Sequence, residues 1–109
     1  MTILTVDVRL DTGHPIMYLT GELDVNSAPT LRDAMETALM YRPHLVEVDT
    51  AALTFCDSEG LRTLLHIQRA AVQVGSRLRL SHVQGVLRRV LDITQLSRAF
   101  AIDPVQVSR

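Results

Sequence analysis

The residues best placed to do chemistry lie in one short segment, Leu53-Thr54-Phe55-Cys56-Asp57-Ser58-Glu59-Gly60-Leu61. The segment joins an apolar stretch to a periodic one, so it reads as a strand-to-helix junction with Leu53 and Phe55 anchored in the core. Asp57 or Ser58 then sits where the first turn of a helix leaves backbone N–H groups unpaired. A hydroxyl there, flanked by two carboxylates, reads on its own as a helix cap. Catalysis by the chain itself is a poor reading. Cys56-Asp57-Ser58-Glu59-Gly60 lacks the first glycine of a G-x-S-x-G elbow, and no second motif supplies a histidine base. His14, His44, His66 and His82 fall in different elements without metal-ligand spacing. Cys56 reads as buried packing, and Arg88 and Arg89 as a solvated helix face. There is no GxxxxGK[ST] phosphate loop. No enzyme activity, metal or cofactor is therefore expected.

The bulk properties narrow the class further. The 109 residues suffice for one domain with a real core, and 47% of them are apolar. The net charge of −1 comes without a basic stripe, which argues against direct nucleic-acid binding. All eleven basic residues are Arg, a compositional bias to which no function is attached. The single cysteine precludes an intramolecular disulfide and fits a reducing compartment. The N-terminal MTILTVDVRL has no basic n-region or continuous apolar run, so no signal peptide is expected. No stretch is apolar for the 18 to 20 residues that a membrane span needs. A cytoplasmic, membrane-free protein, monomeric by default, is the expectation.

The elements that must position the segment follow from periodicity. Leu4, Val6, Val8 and Leu10 alternate with Thr5, Asp7, Arg9 and Asp11, the period of a half-exposed strand. A turn at 11–15 leads into the apolar run Ile16–Leu19, which predicts a hairpin. Gly21-Glu22-Leu23-Asp24-Val25-Asn26-Ser27-Ala28-Pro29 opens a helix, with Asn26 or Ser27 as its cap and Pro29 in its first turn. Ala28, Leu31, Met35, Ala38 and Leu39 form the apolar face, and Arg42-Pro43 ends it. His44–Asp49 returns to a strand. A helix follows from 57–60, with Leu61, Leu64, Leu65, Ile67, Ala71 and Val74 inward and Gly75 as its C-cap. Arg77–Ser81 is a strand, Gln84–Leu91 a third helix, Ala99–Ile102 a last short strand, and 103–109 a short tail. The fold class is α/β: a mixed, mostly parallel sheet packed with amphipathic helices, one domain over 1–109 with its core at about 3–102. Right-handed crossovers gather the loops after parallel strands at one edge. Gly21–Ser27, Thr50–Ser58 and Ser81–Gln84 should therefore lie together.

A strand, then Asp57-Ser58-x-Gly60-Leu61, then an amphipathic helix resembles the phosphorylation loop of the STAS domain. That domain is shared by sulphate transporters and bacterial anti-sigma factor antagonists. Gly21-Glu22-Leu23-Asp24, followed by Ala28 and Leu31, resembles the family's marker before its first helix. The resemblance spans about residues 3 to 102. It implies that Ser58 is a kinase target, with Asp24, Asn26, Ser27, Asp57, Ser58 and Glu59 at the partner surface. Asp24 could equally be a turn residue, while Asn26 and Ser27 read as caps ahead of ligands. Glu59 stands where the family often has Ser or Thr, which leaves Ser58 without an alternative acceptor beside it. The implied partners are an anti-sigma factor with serine-kinase activity and a phosphatase; the unphosphorylated form would free a sigma factor. The competing implication is a non-phosphorylated STAS adaptor or structural module in a signalling or lipid-transport assembly.

Overall fold

A computed structural model describes residues 3–11 and 13–102, without the Asp11 side chain. The tail expected at 103–109 and Thr12 of the expected turn lie outside the described residues. Strands β1 (Leu4–Asp11) and β2 (His14–Leu23) form the predicted antiparallel hairpin, with Val6 opposite Leu19 and Val8 opposite Met17. Helix α1 (Ala28–Leu39), strand β3 (Leu45–Cys56), helix α2 (Ser58–Gln73), strand β4 (Arg77–Ser81) and helix α3 (Gly85–Thr94) follow. A 3-10 turn, Ser97–Ala99, leads to the two-residue strand β5 (Ala101–Ile102). The sheet order is β1-β2-β3-β4-β5, antiparallel in the first pair and parallel in the others.

Alternation decides the two faces of the sheet. Met17, Leu19, Val46, Val48, Leu78 and Leu80 are buried in one core with Leu31 and Met35 of α1, Leu64 and Ile67 of α2, and Leu87 and Leu91 of α3. Helices α1 and α2 pack on each other, and α3 lies against β3. Their in-register neighbours point the other way and are polar. Glu47 Oε1 accepts a hydrogen bond from Arg79 Nη2 at 3.1 Å and meets His14 Nε2 at 3.0 Å. Asp49 meets His82 Nδ1 at 3.1 Å.

Strand β3 differs from the sequence reading. It runs on to Cys56 instead of ending at Asp49, because β2 pairs with it throughout. The pairing shifts register between Tyr18 and Thr20 and again between Gly21 and Glu22, each time putting an extra residue into β3. Bulges of this kind re-aim side chains. The buried positions therefore fall at Thr50, Leu53 and Cys56, while Phe55 is 42% exposed. Leu53 anchors the segment as expected; Phe55 does not.

The expected gathering of three loops is corrected in the same way. β4 stops at Ser81, opposite Asp49, so the loop after it stays beside Thr50, whose hydroxyl donates to the Ser81 carbonyl at 3.0 Å. From there β3 continues seven residues to Cys56, roughly 20 Å at strand rise. Only the loops after β2 and β3 share the tip.

Candidate functional site

The tip is built from the paired ends of β2 and β3, where Leu23 lies opposite Cys56. Beyond Cys56 the chain turns into α2 with Asp57 as N-cap: its backbone is extended, and its Oδ1 accepts the Gly60 N–H at 2.8 Å. That settles which of the two candidate caps acts. Ser58 is then the first helical residue. Its side chain is exposed and makes no hydrogen bond among the described residues. It stands at the positive end of a 16-residue helix, among N–H groups with no intrahelical acceptor.

Gly60 explains why the helix starts so close to the sheet. A Cβ on Gly60 would fall 2.4 Å from the Leu23 carbonyl oxygen and 3.0 Å from Cys56 Sγ. The first turn of α2 is thus pressed against the end of β2, which fixes where Ser58 stands relative to the β2–α1 loop. Gly21 makes a similar approach on the other side of β2. Its φ is +114°, and a Cβ there would meet the Ile3 carbonyl at 2.2 Å. The sequence contains both glycines, but the contacts that require them join residues far apart in the chain. Cys56 is sealed beneath the turn, and burial, with the Asp57 charge beside it, pushes its thiol up to about 12. It is therefore a protonated packing group, as its sequence context suggests.

Asp24 organises the neighbouring loop. Its Oδ1 accepts the N–H groups of Asn26 at 2.9 Å and Ser27 at 3.1 Å, and its carbonyl accepts the Ala28 N–H at 2.9 Å. Ser27 occupies the N-cap position without making a side-chain cap bond. Its hydroxyl turns inward instead, donating to the Glu22 carbonyl at 2.8 Å and accepting from the Asp24 N–H at 3.0 Å. Ser27 is only 5% exposed, so it shapes the loop rather than offering a side chain to a partner. Asn26 is exposed, and Asp57 and Glu59 are half-buried. Of the six residues singled out in the sequence, five therefore reach the surface of the tip.

The first turns of α1 and α2 form the banks of one cleft of about 150 Å³, with Ala28 and Arg32 of α1 and Val25 of the loop before it on one side and Glu59, Arg62 and His66 of α2 on the other. Glu59 and Arg62 face each other across one turn at 3.8 Å. Sequence reasoning missed Val25 and Phe55, apolar side chains 61% and 42% exposed on either side of the tip. The signal for Val25 is an aliphatic residue inside a loop of cap and turn formers. No such signal marks Phe55, whose direction depends on the bulges. Among the described residues no three His, Cys, Asp or Glu side chains are grouped to hold a metal ion, and no helix is long and apolar enough to cross a membrane.

Comparison with known proteins places this geometry. The family described as "Mlab, STAS domain" matches residues 6–103. The anti-sigma F factor antagonist of Paenibacillus polymyxa is 30% identical over 104 residues, which cover 94% of this chain and 86% of that protein. An anti-sigma factor antagonist from Mycobacterium paratuberculosis has a similar fold, with a TM-score of 0.81 at 23% identity over 94% of this chain and 87% of that one. So has SpoIIAA of Bacillus. Its unphosphorylated form gives a TM-score of 0.73 at 22% identity over 92% of this chain and 89% of that one. Its phosphorylated form gives 0.65 at 20% identity, covering 94% and 92%.

Proposed function

The chain belongs to the STAS domain family, and we propose that it works there as an anti-sigma factor antagonist switched by phosphorylation of Ser58. In this reading the unphosphorylated form binds an anti-sigma factor that is also a serine kinase, and the bound kinase releases its sigma factor. The kinase then transfers the γ-phosphoryl group of ATP to Ser58 Oγ. The O–P bond forms as the bond to the ADP leaving group breaks, and the serine proton passes to a base of the kinase. A phosphatase restores the hydroxyl by hydrolysis. The module catalyses nothing itself and acts in the cytoplasm as a monomer.

The observation that carries this reading is the Ser58 hydroxyl: exposed, without a hydrogen bond among the described residues, and at the tip beside the Asp24 loop. The relatives support it by their names, and SpoIIAA by being known in both phosphorylation states. The physics favours a blocked interface over a refolded domain. A phosphoserine adds about −1.5 to −2 charge. At a helix N-terminus that charge meets free N–H groups and the positive dipole end, so the fold tolerates it. A partner covering Ser58, Asn26 and the exposed Val25 and Phe55 must instead desolvate a dianion beside Asp57 and Glu59. Like-charge juxtaposition in an interface costs several kcal/mol.

Incubation with the cognate kinase and ATP, followed by mass spectrometry, tests the assignment. A single phosphate on Ser58, absent in Ser58→Ala, is the expected result. Phosphate on another residue, or none in the presence of a kinase that binds the chain, would favour a non-phosphorylated adaptor instead.

A further inference from the structure

The end of the molecule away from Ser58 carries a second surface. There the C-terminal ends of α1 and α2 come together, and the Arg77 N–H donates to the His44 carbonyl at 3.0 Å, tying the loops that follow the two helices. Between them opens a cleft of about 720 Å³, lined by Met40, Arg42 and His44 from one loop and Val74 from the other. Met40 is 80% exposed and Val74, expected inward on the periodic face of α2, is 65% exposed at its C-cap; exposed Tyr41 and Val72 are near them in the chain. This is apolar surface that the protein's own core leaves uncovered.

The loops that line it carry no carboxylate, although Glu36, exposed one turn before Met40, lies nearby. Residues 38–46 and 70–80 contain no Asp or Glu, while Arg42, His44 and Arg77 are all exposed at this end. Arg42 is conformationally unusual as well. Its φ is +52°, in the left-handed region that glycine favours; the residue just after α2's C-cap, at φ +80°, is Gly75. An arginine held in that bend is not there for the backbone's benefit. Nor does it cap the helix it follows, because its side chain makes no hydrogen bond or ion pair among the described residues. The guanidinium is left aimed at solvent beside apolar surface, the arrangement in which arginine serves recognition of carboxylates.

We propose that this cleft docks a protein segment bearing carboxylates next to aliphatic side chains, the aliphatic groups lying on Met40 and Val74 and a carboxylate on Arg42. The surface is separate from the Ser58 tip, and the proposal does not depend on the phosphorylation reading.

The test uses the full chain, labelled with 15N, and a blocked dodecapeptide of repeated Glu-Leu-Leu-Glu, with a Lys-Leu-Leu-Lys peptide as control. The acidic peptide should shift backbone amides at residues 39–42, 44 and 72–77 and leave those around Ser58 in place. Its binding should weaken several-fold as salt is raised from about 0.05 to about 0.3 M. Arg42→Gly suits the bend, so its spectrum elsewhere should match the parent while peptide binding falls at least about fivefold. Equal binding of the lysine peptide, unchanged binding in Arg42→Gly, or no shift at these residues would overturn the proposal. Shifts there that depend on protein concentration alone, without peptide, would overturn it in favour of a second copy of this chain.

Discussion

On the proposed reading, folding and signalling fall to neighbouring residues, Asp57 and Ser58. The cap is made by Asp57, through its Gly60 bond, so the serine hydroxyl is free of structural duty. A carboxylate in its place would sit at the first helical position, where negative charge is mildly favourable. Ser58→Asp is therefore expected to shift the thermal midpoint by no more than about 2 °C. The same substitution puts a fixed charge into the surface proposed to meet the partner. Titration calorimetry with the anti-sigma kinase should show binding weakened about a hundredfold, equivalent to about 2.7 kcal/mol. A midpoint lower by about 8 °C with binding intact would mean the reverse, a structural serine and a partner surface elsewhere.

At the scale of elements, the tip depends on how closely α2 approaches β2. Gly60→Ala forces a Cβ to within 2.4 Å of the Leu23 backbone carbonyl, and neither side can give way without moving an element. Overpacking of that kind costs about 1–3 kcal/mol. Urea unfolding should show an earlier midpoint with an unchanged slope, whereas Ser58→Ala, two residues away, should leave the midpoint in place. An unaffected Gly60→Ala would mean that the helix start is not braced by β2. This contact also marks where the sequence stops being legible. The hairpin, the three helices, the parallel order, the Gly75 bend and the junction at Asp57-Ser58 can all be read from periodicity and cap residues, which are local signals. The extension of β3 to Cys56, the outward turn of Phe55, the inward turn of Ser27 and the stranded loop after β4 cannot. The β3 extension, the Phe55 turn and the loop after β4 depend on register between strands, and two bulges in the β2–β3 pair erase the period of two over 50–56; the Ser27 turn depends on which of several nearby backbone groups its hydroxyl meets.

Across the whole molecule, a half-buried carboxyl and a buried thiol bracket the pH range in which the fold is held at full strength. Glu47 lies on the sheet face away from the core, half-buried between His14 and Arg79, whereas Cys56 is sealed within the core. Burial alone would raise the Glu47 carboxyl, but the His14 hydrogen bond and the hydrogen bond and charge of Arg79 outweigh it and hold it below its ordinary value. A carboxylate with a depressed native pKa stabilises the fold above its unfolded pKa, and that contribution is lost as pH falls through the native one. Cys56 works at the other limit. Its thiol titrates at about 12 in the folded chain and at about 8.5 in an unfolded one. Between those values only the unfolded chain releases the proton, so stability falls as pH rises, at up to about 1.4 kcal/mol per pH unit. Urea midpoints measured from about pH 3 to 11 should therefore decline at both ends. Glu47→Gln should flatten the acid limb and leave the alkaline one, and Cys56→Ala should do the opposite. Both substitutions lower the plateau, but the slope of each limb does not depend on that offset. An alkaline limb as steep in Cys56→Ala as in the parent would show that the thiol under the Ser58 turn is not sealed from water. The rigid floor on which the exposed hydroxyl stands would then be open.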